Sequence, residues 1–242
     1  MKQLIYIKAF ITLLISYPVL SNDQKLITKG EANFGFAKDS GNIGRQELKY
    51  GFELTNQLGR NTGIIKLDSN ISEKKDDRYK EELELSLLDI YNFDNKFSGI
   101  YGKITYYEKP IIGYDQQLRF GVGYLNYWFQ SGKHKYFKTR IGAQTRFSDY
   151  TIGDNDRRDY ALVGFRTGFP LMKNISLKTE LNYEINIIDS YDYKVDGYIK
   201  SLFYVNEIFD VNIVYKVNYS NEPVPGKKAT DSSLTTNLVY KF

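Results

Sequence analysis

The chain has 242 residues, with 33 Lys and Arg against 29 Asp and Glu, a formal net charge of +4, no cysteine, one histidine and 22 tyrosines. That composition excludes a disulfide scaffold and a thiolate metal site, and a charge so close to balance offers no basic arm for nucleic acid. After the first segment no apolar run approaches the roughly 20 residues of a spanning helix, which excludes a helical membrane protein.

The first segment, "MKQLIYIKAFITLLISYPVLSND", carries Lys2 and Lys8, then an apolar stretch from Ala9 to Ile15, then the small residues Val19 and Ser21 two positions apart. Basic, apolar and small-residue zones in that order predict a secretory signal peptide over 1–21, cut after Ser21, with the mature domain over 22–242. Pro18 ends the short apolar stretch and argues against a permanent anchor.

From about residue 27 the dominant signal is alternation. Successive windows predict twelve strands near 27–38, 43–55, 62–73, 79–91, 97–108, 114–129, 134–148, 157–169, 174–188, 192–205, 208–220 and 231–242. In "QQLRFGVGYL" the residues Leu118, Phe120, Val122 and Tyr124 alternate with Gln117, Arg119, Gly121 and Gly123. In "NISLKTELNYEINI" an apolar row through Leu177, Leu181 and Tyr183 faces away from Lys178, Glu180, Asn182 and Glu184. Connections after even-numbered strands read as short ("NQLGR", "FDNK", "SGK", "MKN", "NEI"). Several after odd-numbered strands read as longer and polar ("EKKDDR", "YTIGDNDRRD", "NEPVPGKKATD"). Strands longer than the usual five or six residues, with tight turns on one side and loops on the other, predict a transmembrane up-and-down antiparallel β-barrel of the outer-membrane type with about 12 strands. The tight turns and both termini are then periplasmic.

Alternation alone fits a soluble sandwich equally well, with the charged face outward. Three features favour the membrane. Aromatics gather near strand ends in two belts: Tyr91, Phe93, Phe97, Tyr127, Trp128, Phe129, Phe137, Phe169, Tyr204, Phe209 and Phe242 on one side, and Tyr79, Tyr106, Tyr107, Tyr114, Tyr150, Tyr160, Tyr191 and Tyr219 on the other. An even strand count closes without a free edge, and the leader gives access to the envelope. The terminal "LVYKF" then faces lipid with Leu238, Tyr240 and Phe242. It resembles the C-terminal aromatic motif read by the outer-membrane assembly machinery.

The stretches "DSGNIG", "YYEKPIIGYDQQLRFGVGYLNYWF" and "NEPVPGKKATDSSLTTNLVYKF" resemble the DUF481 family, salt-induced outer-membrane proteins of the YdiY type, over about residues 28–242. The resemblance implies an outer-membrane location and supplies no catalytic residue, cofactor or metal site.

The residues themselves offer little chemistry. The single histidine, His134 in "SGKHKY", sits at an expected periplasmic turn, away from where a barrel phospholipase or protease would need its imidazole. Paired carboxylates such as Glu82 with Glu84, or Glu180 with Glu184, have Arg119, Arg140 and Lys178 within reach of ion pairing, so an enzyme is not expected. The run "DNDRRD" lacks the spacing of a calcium loop. The expected function is a narrow channel for small hydrophilic, anionic or zwitterionic solutes. Its lumen is lined by Arg119, Arg140, Arg146, Arg166 and Lys178 against Glu82, Glu84, Glu180 and Glu184, with inward glycines between 99 and 168 making room. The alternative is a non-conducting structural or surface-interaction barrel, related to envelope or salt stress, whose loops meet partners. Expected partners are outer-membrane lipid, lipopolysaccharide phosphates near Lys227 and Lys228, and the assembly machinery at the last strand, with no nucleic acid.

Overall fold

The structure, a computed structural model, describes residues 25–40, 46–74, 77–94, 97–110, 113–131, 135–151 and 155–242. The expected signal peptide, its cleavage site and His134 lie outside the described residues.

Twelve strands follow one another along the chain: β1 (Ile27–Ser40), β2 (Gln46–Leu58), β3 (Asn61–Lys74), β4 (Asp77–Asn92), β5 (Ser98–Lys109), β6 (Tyr114–Ser131), β7 (Lys135–Tyr150), β8 (Asp156–Met172), β9 (Ile175–Asn186), β10 (Tyr193–Tyr204), β11 (Phe209–Ser220) and β12 (Thr230–Lys241). Each pairs antiparallel with its sequence neighbours, and β1 pairs with β12, so the sheet is a closed barrel with no free edge. The strands run 12 to 18 residues, enough for the roughly 9–11 that cross a bilayer plus an overhang.

Period-two alternation decides which side chains meet which solvent. Phe34, Phe36, Phe120, Val122, Ile141, Val163, Phe165, Leu238 and Tyr240 all face outward and stand exposed. Exposed apolar side chains in such number require a hydrocarbon environment rather than water. The opposite face is mostly polar and charged, with Glu82, Gln117, Arg146, Glu180, Asn182, Asn212 and Asn237 buried on it.

At the end carrying the termini the turns are tight. Gly59 and Arg60 alone join β2 to β3, and Gly59 adopts a φ of 58°, the left-handed value that a two-residue hairpin needs at its first position. An exposed belt of Phe93, Phe97, Trp128, Phe129, Phe169, Phe209 and Phe242 surrounds this end. The barrel closes here through Phe242: Gly30 N–H donates to Phe242 C=O (2.8 Å) and Phe242 N–H to Gly30 C=O (3.0 Å). The Phe242 ring lies over Gly30, where any side chain would collide with it, and stacks on Phe52 and Tyr240 at 6.0 and 5.8 Å.

Three sequence expectations need correction. Strand β3 runs to Lys74 and β4 resumes at Asp77, so most of "EKKDDR" is strand and not a long loop. Strand β8 begins at Asp156, one residue before the expected 157, so Arg157, Arg158 and Asp159 lie in the strand as its expected bounds have it, and the loop read as "YTIGDNDRRD" is shorter than its overlap with that strand suggested. Tyr107 and Tyr160, assigned above to a lipid-facing belt, point inward, as do Tyr127 and Tyr204 at the other end, because their register partners Gln117, Gln144, Lys138 and Asp210 are lumen residues; Tyr114 and Tyr150, placed in the same belt, line the inside of the mouth beside Gln117 and Ser148.

Candidate functional site: the charged lumen and its roofed mouth

The inner wall is assembled by register. Arg119 of β6 stands directly opposite Arg146 of β7, and Arg146 directly opposite Arg158 of β8. Like charges in direct opposition destabilise a sheet unless each is answered. Arg146 is answered by Glu184 of β9, in a buried ion pair, and its guanidinium stacks on the Tyr160 ring at 4.3 Å. Arg158 pairs with Asp156, with Asp192 at 2.8 Å and with Glu222 at 3.7 Å. Arg119 has no carboxylate in contact among the described residues; its Nε donates to Gln117 Oε1 at 2.5 Å and its guanidinium covers the Tyr107 ring at 4.3 Å.

Lower in the barrel, Glu180 of β9 is held by two arginines, Arg166 through its Nε at 2.6 Å and Arg140 at 3.2 Å, while Arg140 also donates to Asn182 at 2.7 Å. Glu84 accepts from Lys109 at 3.0 Å, and Asn70 donates to Glu47 and to Glu82 at 2.7 and 3.3 Å. These pairs join strands that are adjacent or one strand apart along the wall. Lys66 and Asp68 keep 41% and 37% of their side-chain surface accessible.

The charge is unevenly distributed around the wall. The inward positions of β5–β8 hold Lys103, Lys109, Arg119, Lys138, Arg140, Arg146, Arg158 and Arg166, and, among the described residues, the carboxylate that joins them there is Asp156, paired with Arg158 at the mouth. The other inward carboxylates stand on the remaining strands, among them Glu31, Glu53, Asp68, Glu82, Glu84, Glu180, Glu184, Asp196 and Asp210. Near the end with the termini the wall carries an apolar patch of Ile90, Tyr101 and Leu125, with Leu88 and Tyr127 packed against it. Tyr101 lies flat over two glycines: a Cβ on Gly123 would stand 2.6 Å from its ring, and one on Gly142 2.6 Å from its hydroxyl oxygen.

A family profile described as a protein of unknown function, DUF481, matches residues 32–242. The chain belongs to the DUF481 family. Among solved structures the DUF481 chain is similar to the NanC porin at 8% identity, with a TM-score of 0.60 over 87% of this chain and 100% of that one. It is also similar to an outer-membrane channel from Pseudomonas putida F1 at 10% identity, with a TM-score of 0.48 over 94% and 98% of the two chains. The NanC likeness is one of fold, and with the closed twelve-strand sheet it makes this DUF481 protein a β-barrel of the outer-membrane type. No curated protein matches the chain.

At the mouth opposite the termini, the DUF481 barrel carries its longest described connection, Asn221–Ala229 between β11 and β12. Asn221 anchors it to the neighbouring β9–β10 connection, its N–H donating to Tyr193 C=O at 3.0 Å and its Nδ2 to Tyr191 C=O at 2.8 Å. Lys227 N–H donates to Val224 C=O at 2.9 Å around Pro225 and Gly226, and Gly226 has a φ of 79°; this is a type II turn with proline and glycine where that turn favours them. The loop reaches across the barrel. Val224 rests on Gly113 in the connection between β5 and β6, halfway around the ring of strands, where a Cβ would stand 2.7 Å from Val224 Cγ1 and where φ is 100°. Beneath this lid is a cavity of about 610 Å³ whose wall includes Arg146, Arg158, Lys194, Tyr114 and Tyr150.

Asp192, fully buried in the β9–β10 connection, organises that rim. It accepts from Tyr160 Oη (2.5 Å), Arg158 (2.8 Å), Lys194 (3.0 Å) and Asn186 (3.2 Å). Burial alone would raise its carboxyl, but the hydrogen bonds from Tyr160 and Arg158 and the charge of Lys194 outweigh burial and hold it well below the usual carboxylate range.

All nine charged residues singled out from the sequence face the lumen: Arg119, Arg140, Arg146, Arg166, Glu82, Glu84, Glu180 and Glu184 as above, and Lys178 opposite Gly168 and Lys200. Leu238, Tyr240 and Phe242 face outward and stand exposed. The glycines do less to widen the lumen than expected, since Gly123 and Gly142 seat Tyr101, and Gly164 sits against Arg140 and Asn182. Sequence reasoning missed Arg158, Asp192, Lys194, Lys103 and Lys138. Arg158 was within reach, because the alternation running back from Gly164 through Leu162 and Tyr160 arrives at it two residues at a time.

Proposed function

We propose that this DUF481 barrel sits in the bacterial outer membrane as a narrow, non-enzymatic channel favouring small anionic or zwitterionic solutes. The observation that carries this reading is the cationic face of β5–β8, a run of inward Lys and Arg side chains from Arg158, paired with Asp156 at the mouth, to Lys138 and Arg166 near the other end. A low-dielectric tube lined by one sign of charge concentrates counter-ions along that wall. In this reading lipid and lipopolysaccharide surround the outward rows, and the assembly machinery takes hold of the last strand through Leu238, Tyr240 and Phe242. A sequence with a single histidine supports the non-enzymatic part.

The specific observations on the side of a non-conducting barrel are the lid across the mouth and the apolar patch of Ile90, Tyr101 and Leu125. Planar-bilayer recording separates the two readings. We expect reproducible conductance steps and, under a salt gradient, a reversal potential displaced toward the anion. The paired substitution Arg119→Glu and Lys138→Glu moves that potential toward the cation. Absence of steps from a correctly folded barrel removes the channel reading.

A further inference from the structure

We propose that the cavity under the β11–β12 lid is a docking site for a small hydroxylated carboxylate, and that Glu222 of the lid holds the place its carboxylate takes. The proposal rests on the channel reading and deepens it by naming the solute class.

The cavity, about 610 Å³, falls within the range of roughly 300–1,000 Å³ typical of small-molecule sites. Its cations differ in what already answers them. Lys194 is held by Asp192 and Ser220 at 3.0 and 3.2 Å. Arg146 is 3% exposed and bound to Glu184, yet its Nε finds no acceptor among the described residues. Arg158 meets Asp156 and Asp192 closely, but its third carboxylate, Glu222, stands 3.7 Å away with 45% of its side chain exposed. That contact is long and solvated, of the kind worth little. Glu222 is also the one of the three that rides on the lid. A solute carboxylate arriving at Arg158 with two oxygens in plane makes a stronger, shorter pair than Glu222 does. It thereby displaces Glu222 and removes one of the contacts holding the lid across the mouth.

The rest of the lining narrows the solute. Asp156 remains at the rim beside any bound carboxylate, so the solute must offer hydroxyl donors there or suffer like-charge repulsion. Ser148 and Asn155 provide neutral hydrogen-bonding partners close by, and Tyr114 and Tyr150, whose ring centroids are 5.3 Å apart, offer flat apolar faces for a carbon skeleton. A bare carboxylate leaves Asp156 opposed, and a neutral polyol leaves Arg158 with no reason to release Glu222.

Calorimetric titration of the detergent-solubilised full barrel with gluconate, acetate and glucose tests the proposal. Gluconate is expected to bind at least about tenfold more tightly than either of the other two, the difference that one charge-assisted hydrogen bond supplies. Glu222→Gln, on an exposed loop where folding is not at risk, is expected to tighten gluconate by about two- to fivefold, the worth of the surface ion pair it abolishes. Arg158→Gln weakens gluconate by at least about tenfold. Equal affinity for the three probes, or a Glu222→Gln barrel that binds gluconate no better than the parent, overturns the proposal. Binding is read without current, so a barrel that conducts but does not discriminate the probes loses this site and keeps the channel, and one that discriminates but passes no current does the reverse.

Discussion

Replacing Asp192 by Asn tests whether the rim of the barrel is held by one buried carboxylate. The substitution preserves shape and leaves an oxygen for Tyr160 or Asn186, but removes the charge facing Arg158 and Lys194. Two charge-assisted hydrogen bonds contribute about 1.5–3 kcal/mol each. Arg158 retains Asp156 and Lys194 retains Ser220, so we discount their sum to about 2–3 kcal/mol, just below the range of about 3–5 for breaking a buried pair. Urea unfolding of the barrel in micelles, followed by far-ultraviolet circular dichroism, measures it. Because the folded carboxyl is depressed, its contribution is fully present above the unfolded value of about 3.9. It is lost as pH falls through the lower, folded value, since the unfolded chain takes up the proton first. The gap between parent and Asp192→Asn is therefore full at pH 7 and narrows below about pH 4. A gap under about 0.5 kcal/mol at pH 7, the scatter of ordinary surface substitutions, or a gap that widens on acidification, refutes the reasoning.

Two further outcomes follow from packing. Gly142→Val drives a side chain into Tyr101 and the neighbouring backbone and is expected to cost about 1–3 kcal/mol by overpacking; Gly102→Ala, where nothing stands within 4 Å, is expected to stay within about 0.5 kcal/mol of the parent, both by the same unfolding assay. Deleting Phe242 removes two backbone hydrogen bonds to Gly30 and the stack on Phe52 and Tyr240. We expect the folded fraction, read as heat-modifiable mobility on gels, to fall severalfold, and an unchanged fraction would show that closure does not depend on the last residue.

Most of the architecture was legible because a bilayer imposes a coarse, repetitive pattern. Windows such as "NISLKTELNYEINI" alternate without interruption, and β9 occupies Ile175–Asn186 as that alternation requires. The charged residues of the lumen were found by the same rule, since a carboxylate or guanidinium on these strands has one side on which it can be hydrated. The rule failed where lumen residues are not polar. Ile90, Tyr101 and Leu125 are apolar yet point inward, and Tyr107 and Tyr160 look like belt residues until register places them beside Gln117 and Gln144. It failed again at strand ends, where Arg158 sits in a run so polar that composition argues for a loop. The contact of Val224 with Gly113 joins residues 111 positions apart across the mouth, and no local pattern announces it.

The barrel carries one tryptophan, Trp128, and the fold puts it on the lipid-facing surface at the level of the termini, where its indole N–H donates to Thr139 Oγ1 at 3.0 Å. The molecule therefore comes with a single fluorescent depth gauge already installed near one leaflet. A sheet that enters a vesicle mouth-first leaves this indole behind in the headgroups of the leaflet it crossed, so bromine at mid-chain should quench it only weakly throughout insertion. Entry from the opposite direction drags the same ring through the midplane and produces a transient dip in emission, which makes the direction of insertion readable without any added label.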